Sequence, residues 1–345
     1  MLKNNARELL VTHFQVAGLE GLGLADKPAA VKAAAMILDF LEQTQKKSLQ
    51  YIDGINVYGS GEFMLLDQAA RRNLELTATI RSGQRRGSLL WVIDDTLTPM
   101  GGRLLKDWLE NPLLNTELIH RRLDGVAELT TDQMALTELR RLLKDIYDLQ
   151  RIIGRICYGS ANPRDLIALR NSLYLLPGIF ALLSRLASPI YAILFDHFDL
   201  LEDITQLIED AIDDDPPLSP KDSGVIKVGY NEQVDELRRI TGGGKSWLLE
   251  FEAAERERTG IRNLKVGYNK VFGYYIEISK SRQEEAPADY IRKQTLVNGE
   301  RFITEELKEM EHKILSAGDQ LAAFEYQIFC EIREKIAASG SRIRR

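Results

Sequence analysis

The sequence predicts a mainly α-helical protein, in which long helices form a lever or core domain and a small α+β subdomain is inserted at its tip. Two observations support this prediction. After Pro99, apolar residues recur every three or four positions through most of the chain, which is the period of an amphipathic helix. Two of these helical stretches enclose a short segment rich in Val, Ile, Tyr and Phe, which is the composition of strands.

Before Pro99, the sequence predicts a mixture of helices and strands. Residues 27–45 have a proline at their start and are rich in Ala, Leu and Met, which favours a helix. Residues 63–76 also have helical spacing. Residues 51–58 and 88–96 have the β-branched and aromatic content of short strands. We therefore expect two helices and two strands in this part.

A series of helices is predicted to follow Pro99. Proline and glycine indicate breaks between helices at residues 162–163 and 176–178. Seven acidic residues lie within 201–215, and this stretch ends in Asp-Pro-Pro, which cannot continue a helix. We expect a turn there, with solvated charges.

One long helix is then predicted to lead to a β-hairpin. Asn231 is a suitable N-cap, and Gly260 stands where a helix commonly ends. The strand-like segments after it flank Asn269 and Lys270, a pair that suits a hairpin turn. We expect this turn to lie at the end of the lever.

A second long helix is predicted to return from the hairpin. Thr304, followed by two glutamates and a leucine, is a good helix start. The apolar positions after it alternate by three and four, as in a helix packed along a partner; they are Leu307, Met310, Ile314, Ala317, Leu321, Phe324 and Ile328. The last residues, SGSRIRR, look like a cut inside a longer protein.

The composition indicates a globular protein with two or more domains. The chain has 345 residues, of which 44% are apolar and 28% are charged. No uninterrupted apolar run approaches the roughly 18 residues of a membrane span, and the N-terminus lacks the pattern of a secretory signal. We therefore expect a cytoplasmic protein with no membrane partner.

Patterns of catalysis or metal binding are not found in the sequence. Cys157 and Cys330 lie in apolar helical stretches without a neighbouring Cys or His, and the four histidines are scattered. We predict that both cysteines are core thiols. The string GGGKS at 242–246 lacks the spacing of a phosphate loop, because the loop's first glycine would fall on Arg239. We expect a bend or an interruption of the helix there, no enzyme activity, and neither a metal nor a cofactor in this chain.

Local charge singles out residues 262–303. This segment holds eight basic and five acidic residues, a balance of +3 in a chain of net charge −6. Basic side chains with nearby Tyr and Asn suit contacts with the phosphates of nucleic acid. On charge alone, we select Arg292, Lys293 and Arg301 as candidate DNA-backbone contacts.

Several long segments carry a resemblance to a known family. In chain order they are LDQAARRNLEL, TPMGGRLLKDWLENPL, DLQRIIGRICYGSANPRDLIALRNSL, GVIKVGYNEQVDELR, ERERTGIRNLKVGYNKVFGYYIEIS and YIRKQTLVNGERFITEELKEMEHKIL. Together they cover nearly the whole chain. The sequence resembles the MutS family of DNA mismatch repair proteins.

The resemblance implies a domain layout. It assigns 1–44 to the tail of the connector domain, and 45–240 with 304–345 to the lever or core domain. Residues 241–303 are then the clamp domain, inserted into the lever. The family's mismatch-reading domain and its ATPase domain, which binds ATP and Mg²⁺, have no counterpart in this sequence.

The resemblance also implies a function and partners. The chain would grip double-stranded DNA by nonspecific backbone contacts and couple this binding to the ATPase domain; a second MutS subunit and a MutL-type partner are implied for the longer protein. The family's clamp contacts correspond to Asn269, Lys270 and Asn298. Val297 stands where relatives often have a basic residue, so it is not included. The location implied is the bacterial cytoplasm, associated with the nucleoid.

Two other functions remain open from the sequence. One is a purely structural helical lever with no DNA affinity in isolation. The other is the binding of branched DNA, as in MutS2-like proteins, although an inserted clamp is typical of the mismatch repair branch.

Overall fold

In a computed structural model, the described residues are 5–44, 49, 52, 54–55, 57, 61–195, 198–269, 273–296 and 298–344. The chain divides into two units. Unit 1 comprises Met1–Glu209 and Ile332–Arg345, and unit 2 comprises Asp210–Glu331. Helices dominate, and the strands form a small four-stranded antiparallel sheet in unit 2. The predicted fold class, mainly α with a small α+β insertion, is confirmed.

Unit 1 is built from helices. They are α1 (Ala6–Phe14), α2 (Pro28–Thr44), α3 (Gln68–Asn73), α4 (Leu89–Ile93), α5 (Pro99–Glu110), α6 (Thr116–Thr131), α7 (Gln133–Lys144), α8 (Leu149–Tyr158), α9 (Pro163–Leu173), α10 (Leu176–Leu183), α11 (Pro189–Phe195) and α12 (Glu202–Ala211), whose last residues belong to unit 2.

Unit 2 alternates long helices with short strands. Its elements are α13 (Glu232–Thr259), β1 (Lys265–Asn269), β2 (Gly273–Ser279), β3 (Ile291–Thr295), β4 (Gly299–Ile303) and α14 (Glu305–Ala338). The last turns of α14 belong to unit 1, as does α15 (Gly340–Arg344).

The predicted mixture of strands and helices before Pro99 is wrong in its details. The predicted strand at 88–96 is instead helix α4, because the Ser88 side chain accepts a hydrogen bond from the backbone of Trp91 and starts a helical turn. The predicted helix at 63–76 shrinks to α3, and Phe63 forms a β-bridge with Leu113.

Two further predictions in this part have different outcomes. The helix predicted at 27–45 is confirmed as α2. Of the strand predicted at 51–58, only Ile52, Gly54, Ile55 and Val57 are described, and none of these is in a strand; the other four residues lie outside the described part of the chain.

The most apolar stretch of unit 1 consists of core helices. Pro163–Leu183 is the one stretch in the described residues that is long and apolar enough to span a membrane by length and composition, with a mean hydropathy of 1.7. It comprises two helices, α9 and α10, rather than one regular helix. Their buried residues include Leu166, Leu169, Leu173 and Ile179. The apolarity is therefore explained by packing within unit 1.

The two cysteines are less buried than we predicted. Cys157 and Cys330 are both partly exposed rather than fully buried. In unit 1, Cys157 packs against Gly340, where an added Cβ would lie 3.1 Å from its Sγ. Within the described residues, no group of three or more His, Cys, Asp or Glu side chains could hold a metal ion.

The acidic stretch at 201–215 is a helix over most of its length, not a turn. Its charges are also partly paired, because Glu209 accepts a hydrogen bond from Arg170 at 2.9 Å and Asp203 binds Arg342 at 2.8 Å. Arg342 also binds Asp199 at 2.7 Å. These pairs tie α9 and α15 to the acidic stretch, so the charge has a structural role inside unit 1.

The Arg342 pairs predict a pH-dependent effect of Arg342→Gln. Hydrogen bonds from the guanidinium lower the pKa values of Asp199 and Asp203 below their usual value of 3.8. A depressed folded-state pKa adds stability that is complete above the unfolded pKa and is lost as pH falls through the folded pKa. Because the side chains are partly exposed, each pair contributes about 0.2–1 kcal/mol. We expect the variant to melt earlier than the wild type at pH 7, with the difference shrinking below about pH 4. Thermal melts across pH would test this, and a constant difference would contradict it.

Helix α13 begins and ends where the sequence predicted. The Asn231 side chain accepts hydrogen bonds from the backbones of Gln233 and Val234, and Gly260 has a left-handed φ of 70°. Of the bend or interruption predicted at 242–244, the interruption is wrong, since the helix continues through all three glycines. Each glycine costs about 1 kcal/mol relative to alanine, but it retains its backbone hydrogen-bonding groups, so the helix need not break.

Helix α14 confirms the predicted returning helix. Thr304 Oγ1 accepts a hydrogen bond from the backbone of Leu307, which caps the first turn. Most of the predicted apolar stripe is buried, including Leu307, Ile314, Ala317 and Leu321.

A buried carboxylate joins the two long helices of unit 2. The Glu325 side chain on α14 has no exposed surface. It accepts hydrogen bonds from the backbones of Gly224 (2.6 Å) and Val225 (3.1 Å) and from the guanidinium of Arg238 on α13 (2.5 Å). Three donors from two separate segments therefore converge on one side chain.

Candidate nucleic-acid interface

The sheet of unit 2 has the strand order β1-β2-β4-β3, and every neighbouring pair is antiparallel. In the central pair, Ile276 lies opposite Phe302 and Glu277 lies opposite Arg301. Because side chains alternate along a strand, the first pair faces the core and the second faces away from it. At this central pair, the inner face of the sheet is therefore apolar and the outer face is polar.

The inner face packs against the end of α13 and the start of α14. The buried residues of this core are Phe251, Ile261, Leu264, Ile276, Ile278, Tyr290, Phe302 and Leu307. They come from both helices, three strands or their flanking turns, and the turn after α13. The sheet is therefore anchored on both long helices.

A polar network also fixes the sheet to α13. Glu255 is buried and accepts hydrogen bonds from Tyr290 Oη at 2.5 Å and from Arg258 Nη2 at 2.8 Å. Arg258 also binds Asp289 at 3.0 Å, and its hydrogen bonds lower the pKa of that carboxyl group. Burial, followed by the hydrogen bond to Glu255, raises the pKa of Tyr290 above its usual value. The segment that leads into β3 is thus held against the helix.

The β1–β2 hairpin is confirmed, but it lies elsewhere than predicted. Strand β1 runs back along α13, and the backbone N–H of Val266 donates to Glu252 at 2.7 Å. Tyr268 lines a small cleft together with Leu248 of α13. Along the helix axis, Leu248 lies about 16 Å before the last residue of α13. Asn269 therefore lies beside α13 rather than beyond its end.

The predicted contacts at the two turns of the sheet are not brought together. Ser279, at the end of β2, lies opposite Gly299, which follows Asn298. Asn269 lies opposite Gly273, at the start of β2. The seven residues of β2 separate these two ends by about 20 Å. Lys270 and Val297 lie outside the described residues.

Two of the arginines selected on charge have partners within the sheet. Arg292 pairs with the buried Glu300. Arg301 binds Glu277 at 3.0 Å, and its guanidinium lies 4.1 Å from the centre of the Tyr275 ring. Both cations therefore stabilise the sheet in this structure. Lys293 is exposed on the edge strand β3, and within the described residues no ion pair of it is observed.

The end of the sheet that contains Asn298 forms the best candidate interface. We call it the distal end and define it by five exposed residues: Arg262, Asn263, Lys265, Lys280 and Asn298. The Asn263 amide donates to Ser279 Oγ at 2.8 Å, and the Lys280 backbone donates to the Asn298 carbonyl at 3.1 Å. These bonds hold three separate segments side by side, with three cations and two amides at the surface.

Sequence reasoning counted the three cations of the distal end but did not select them. Lys265 begins β1, Lys280 follows β2, and Arg262 lies in the turn after α13. The available signal was their position at the ends of predicted strands. Their convergence with Asn298 depends on the β2–β4 register, and these strands are not adjacent in sequence.

Comparisons with known proteins identify the family. The family model described as MutS domain III matches residues 69–345. A DNA mismatch repair protein MutS of Symbiobacterium thermophilum is 50% identical over 99% of the chain and 39% of its own length. The corresponding protein of Acetivibrio thermocellus is 49% identical over 91% of the chain and 36% of its own length. That of Alkaliphilus oremlandii is 48% identical over 99% of the chain and 39% of its own length. The chain thus spans about two fifths of these relatives. The resemblance predicted from the sequence is confirmed, and the chain belongs to the MutS domain III family.

Proposed function

We propose that this chain holds duplex DNA by its phosphate backbone through the distal end of the sheet, as one part of a mismatch repair protein. The observation that carries the proposal is the convergence of Arg262, Lys265 and Lys280 with two exposed amides. Support also comes from the relatives, whose names describe DNA mismatch repair.

The chemistry of the distal end suits phosphates better than bases. Lys and Arg neutralise phosphates and release condensed counterions, and Asn amides donate hydrogen bonds to phosphate oxygens. Such contacts position a protein on DNA without reading the DNA sequence. The proposed grip is therefore nonspecific, and it would not distinguish a mismatch from a matched base pair.

A grip of this kind needs a rigid support, and the anchoring of the sheet supports the proposal. The network around Glu255 and the core on both long helices hold the strands in place. We propose that α13 and α14 couple DNA binding to an ATPase domain of the longer protein. In the same proposal, this chain has no catalytic role or cofactor of its own, and the longer protein works in the cytoplasm with a second MutS subunit and a MutL-type partner.

The expected result for Lys280→Ala is weaker DNA binding and a smaller salt dependence. Loss of one phosphate contact reduces the slope of log affinity against log salt by roughly 1. Fluorescence anisotropy with a labelled duplex at several salt concentrations would measure both. The affinity for a matched duplex and for one with a G·T mismatch should fall equally. Lys313→Ala, at an exposed lysine on α14, is the matched control and should leave the slope unchanged.

Other outcomes would distinguish the competing proposals. If Lys270→Ala lowers the slope and Lys280→Ala does not, the interface is at the hairpin turn. No binding at low salt would favour a purely structural lever. A strong preference for a four-way junction over a duplex would favour the branched-DNA alternative.

A further inference from the structure

A second basic surface lies in unit 1, in a cleft formed by the loop before α5, by α5 itself and by the start of α8. The cleft has a volume of about 930 Å³. Clefts that bind small ligands commonly range from about 300 to 1,000 Å³. Five cationic side chains line it: Arg85, Arg103, Lys106, Arg151 and Arg155.

Among the described residues, two acidic side chains line this cleft, and both are already engaged. Asp148 accepts two hydrogen bonds from Arg103, at 2.7 and 2.8 Å, and these lower the pKa of Asp148. Asp94 accepts hydrogen bonds from the hydroxyl and the backbone of Thr96 and pairs with Arg85; these interactions lower its pKa. Both carboxylates are therefore ionised at neutral pH, and they neutralise two of the five cations.

A third cation is neutralised from outside the cleft lining. Arg155 binds Asp165 at 2.6 Å, and Asp165 also belongs to the capping box that starts α9. This leaves Lys106 and Arg151. Lys106 is half exposed, and its nearest carboxylate, on Glu110, is 4.0 Å away. The Arg151 side chain is 74% exposed and lies 3.4 Å from Asp148. Both carboxylate oxygens of Asp148 already accept hydrogen bonds from Arg103.

The five cations of the cleft are matched by two carboxylates in its lining and by Asp165 and Glu110 beside it, which leaves an excess charge of about +1. Lys106 and Arg151 are the least tightly paired of the five, because exposed pairs at such distances contribute little. Helix α5 also begins at this cleft, and the positive end of its dipole adds to the field, whereas the N-terminus of α8 is already capped by the carboxylate of Asp148. An excess of positive charge in a concave surface concentrates the field and attracts anions.

We propose that this cleft binds a phosphate-bearing anion, with Lys106 and Arg151 as the principal contacts. The Arg guanidinium offers planar, bidentate donors to phosphate oxygens, and the Lys ammonium acts as a point charge. The volume accommodates more than one phosphate group. Two sources share this chemistry: a free oligophosphate and the phosphodiester backbone of a polynucleotide. The site is separate from the distal end, so it does not depend on the DNA grip proposed there.

Titration of the purified chain with inorganic pyrophosphate at low ionic strength tests the proposal. We expect saturable binding at one site by isothermal titration calorimetry. Lys106→Gln combined with Arg151→Gln should weaken this binding by about tenfold or more. The matched control is Lys32→Gln with Lys144→Gln, which removes two exposed lysines of unit 1 outside the cleft and should leave the affinity unchanged. Thermal melts would show that both double variants remain folded.

A competition experiment distinguishes the two sources. If a short oligonucleotide displaces pyrophosphate, and does so equally well from the wild type and from Lys280→Ala, the natural ligand of the cleft is the polynucleotide backbone. Saturable pyrophosphate binding that oligonucleotides do not displace identifies a free oligophosphate. The proposal is overturned if pyrophosphate does not saturate, or if the control pair weakens binding as much as the cleft pair does.

Discussion

Replacement of Glu325 by alanine is expected to lower the free energy of unfolding of unit 2 by about 3–5 kcal/mol, the usual cost of breaking a buried ion pair. The variant leaves the backbone N–H groups of Gly224 and Val225 without their acceptor. The guanidinium of Arg238 loses its buried carboxylate and keeps only the Ile226 carbonyl and Asp235 as acceptors. Unpaired buried donors carry their full desolvation penalty. Because these groups come from α13 and from the loop before it, the long helices should lose their fixed register.

Trp247 provides a local probe for this prediction. It belongs to unit 2 and stacks on Phe251, with ring centres 4.9 Å apart, whereas Trp91 and Trp108 belong to unit 1. Urea unfolding followed by fluorescence, in a background with Trp91→Phe and Trp108→Phe, therefore reports on unit 2.

Two companion variants make the Glu325 experiment decisive. Glu309→Ala removes an exposed carboxylate from the same helix and should change the free energy of unfolding by less than about 0.5 kcal/mol. Glu325→Gln retains an acceptor oxygen and should lie between the wild type and Glu325→Ala. Equal effects of Glu309→Ala and Glu325→Ala would show that the buried contacts contribute no net stability.

Phe302→Ala should have the second large effect, with a loss of about 3–5 kcal/mol from the core beneath the sheet. Phe302 is buried, lies opposite Ile276 in the central strand pair, and packs beside Tyr290. Removing its ring leaves a cavity where the two long helices meet the sheet. We expect faster hydrogen exchange in β2 and β4, measured by mass spectrometry.

The same variant should also weaken DNA binding if the proposed interface is correct. The distal end gathers residues from three segments, and their positions depend on the β2–β4 pairing. Loosening that pairing separates Lys280 from Asn298. The control is Ile291→Ala, at a half-exposed position in β3, which should change neither exchange nor affinity appreciably. Faster exchange with unchanged DNA affinity would place the interface elsewhere.

The structure changes which residues are expected to meet DNA. Arg292 and Arg301 were expected to contact DNA because of their charge, but they pair with Glu300 and Glu277 of the sheet. The Arg292 side chain is still more than half exposed, whereas that of Arg301 is mostly covered. Removing either would therefore test the stability of the sheet before it tests DNA binding. Lys280, which was not selected, becomes the sharper probe.

Local rules predicted much of the helical framework. Helix ends depend on residues within one helical turn, so the neighbouring residues in the sequence are enough to predict them. Examples are the cap at Asn231, the left-handed Gly260 and the helix start at Thr304. Apolar spacing predicted the buried stripe of α14 for the same reason. The strand predicted at 88–96 failed because a serine cap outweighed the β-branched and aromatic composition of a very short segment.

By itself, the sequence determined the family, the mainly helical fold, the two long helices and the hairpin between them, because each of these depends on local periodicity or on extended similarity. Only the tertiary structure decided which cations remain available to a ligand. Strand register placed Asn298 with Lys280 and away from Asn269, and contacts between distant residues paired Arg301 with Glu277. Register and ion pairing are set by how separate segments pack, and a one-residue shift would turn every side chain of a strand to the opposite face.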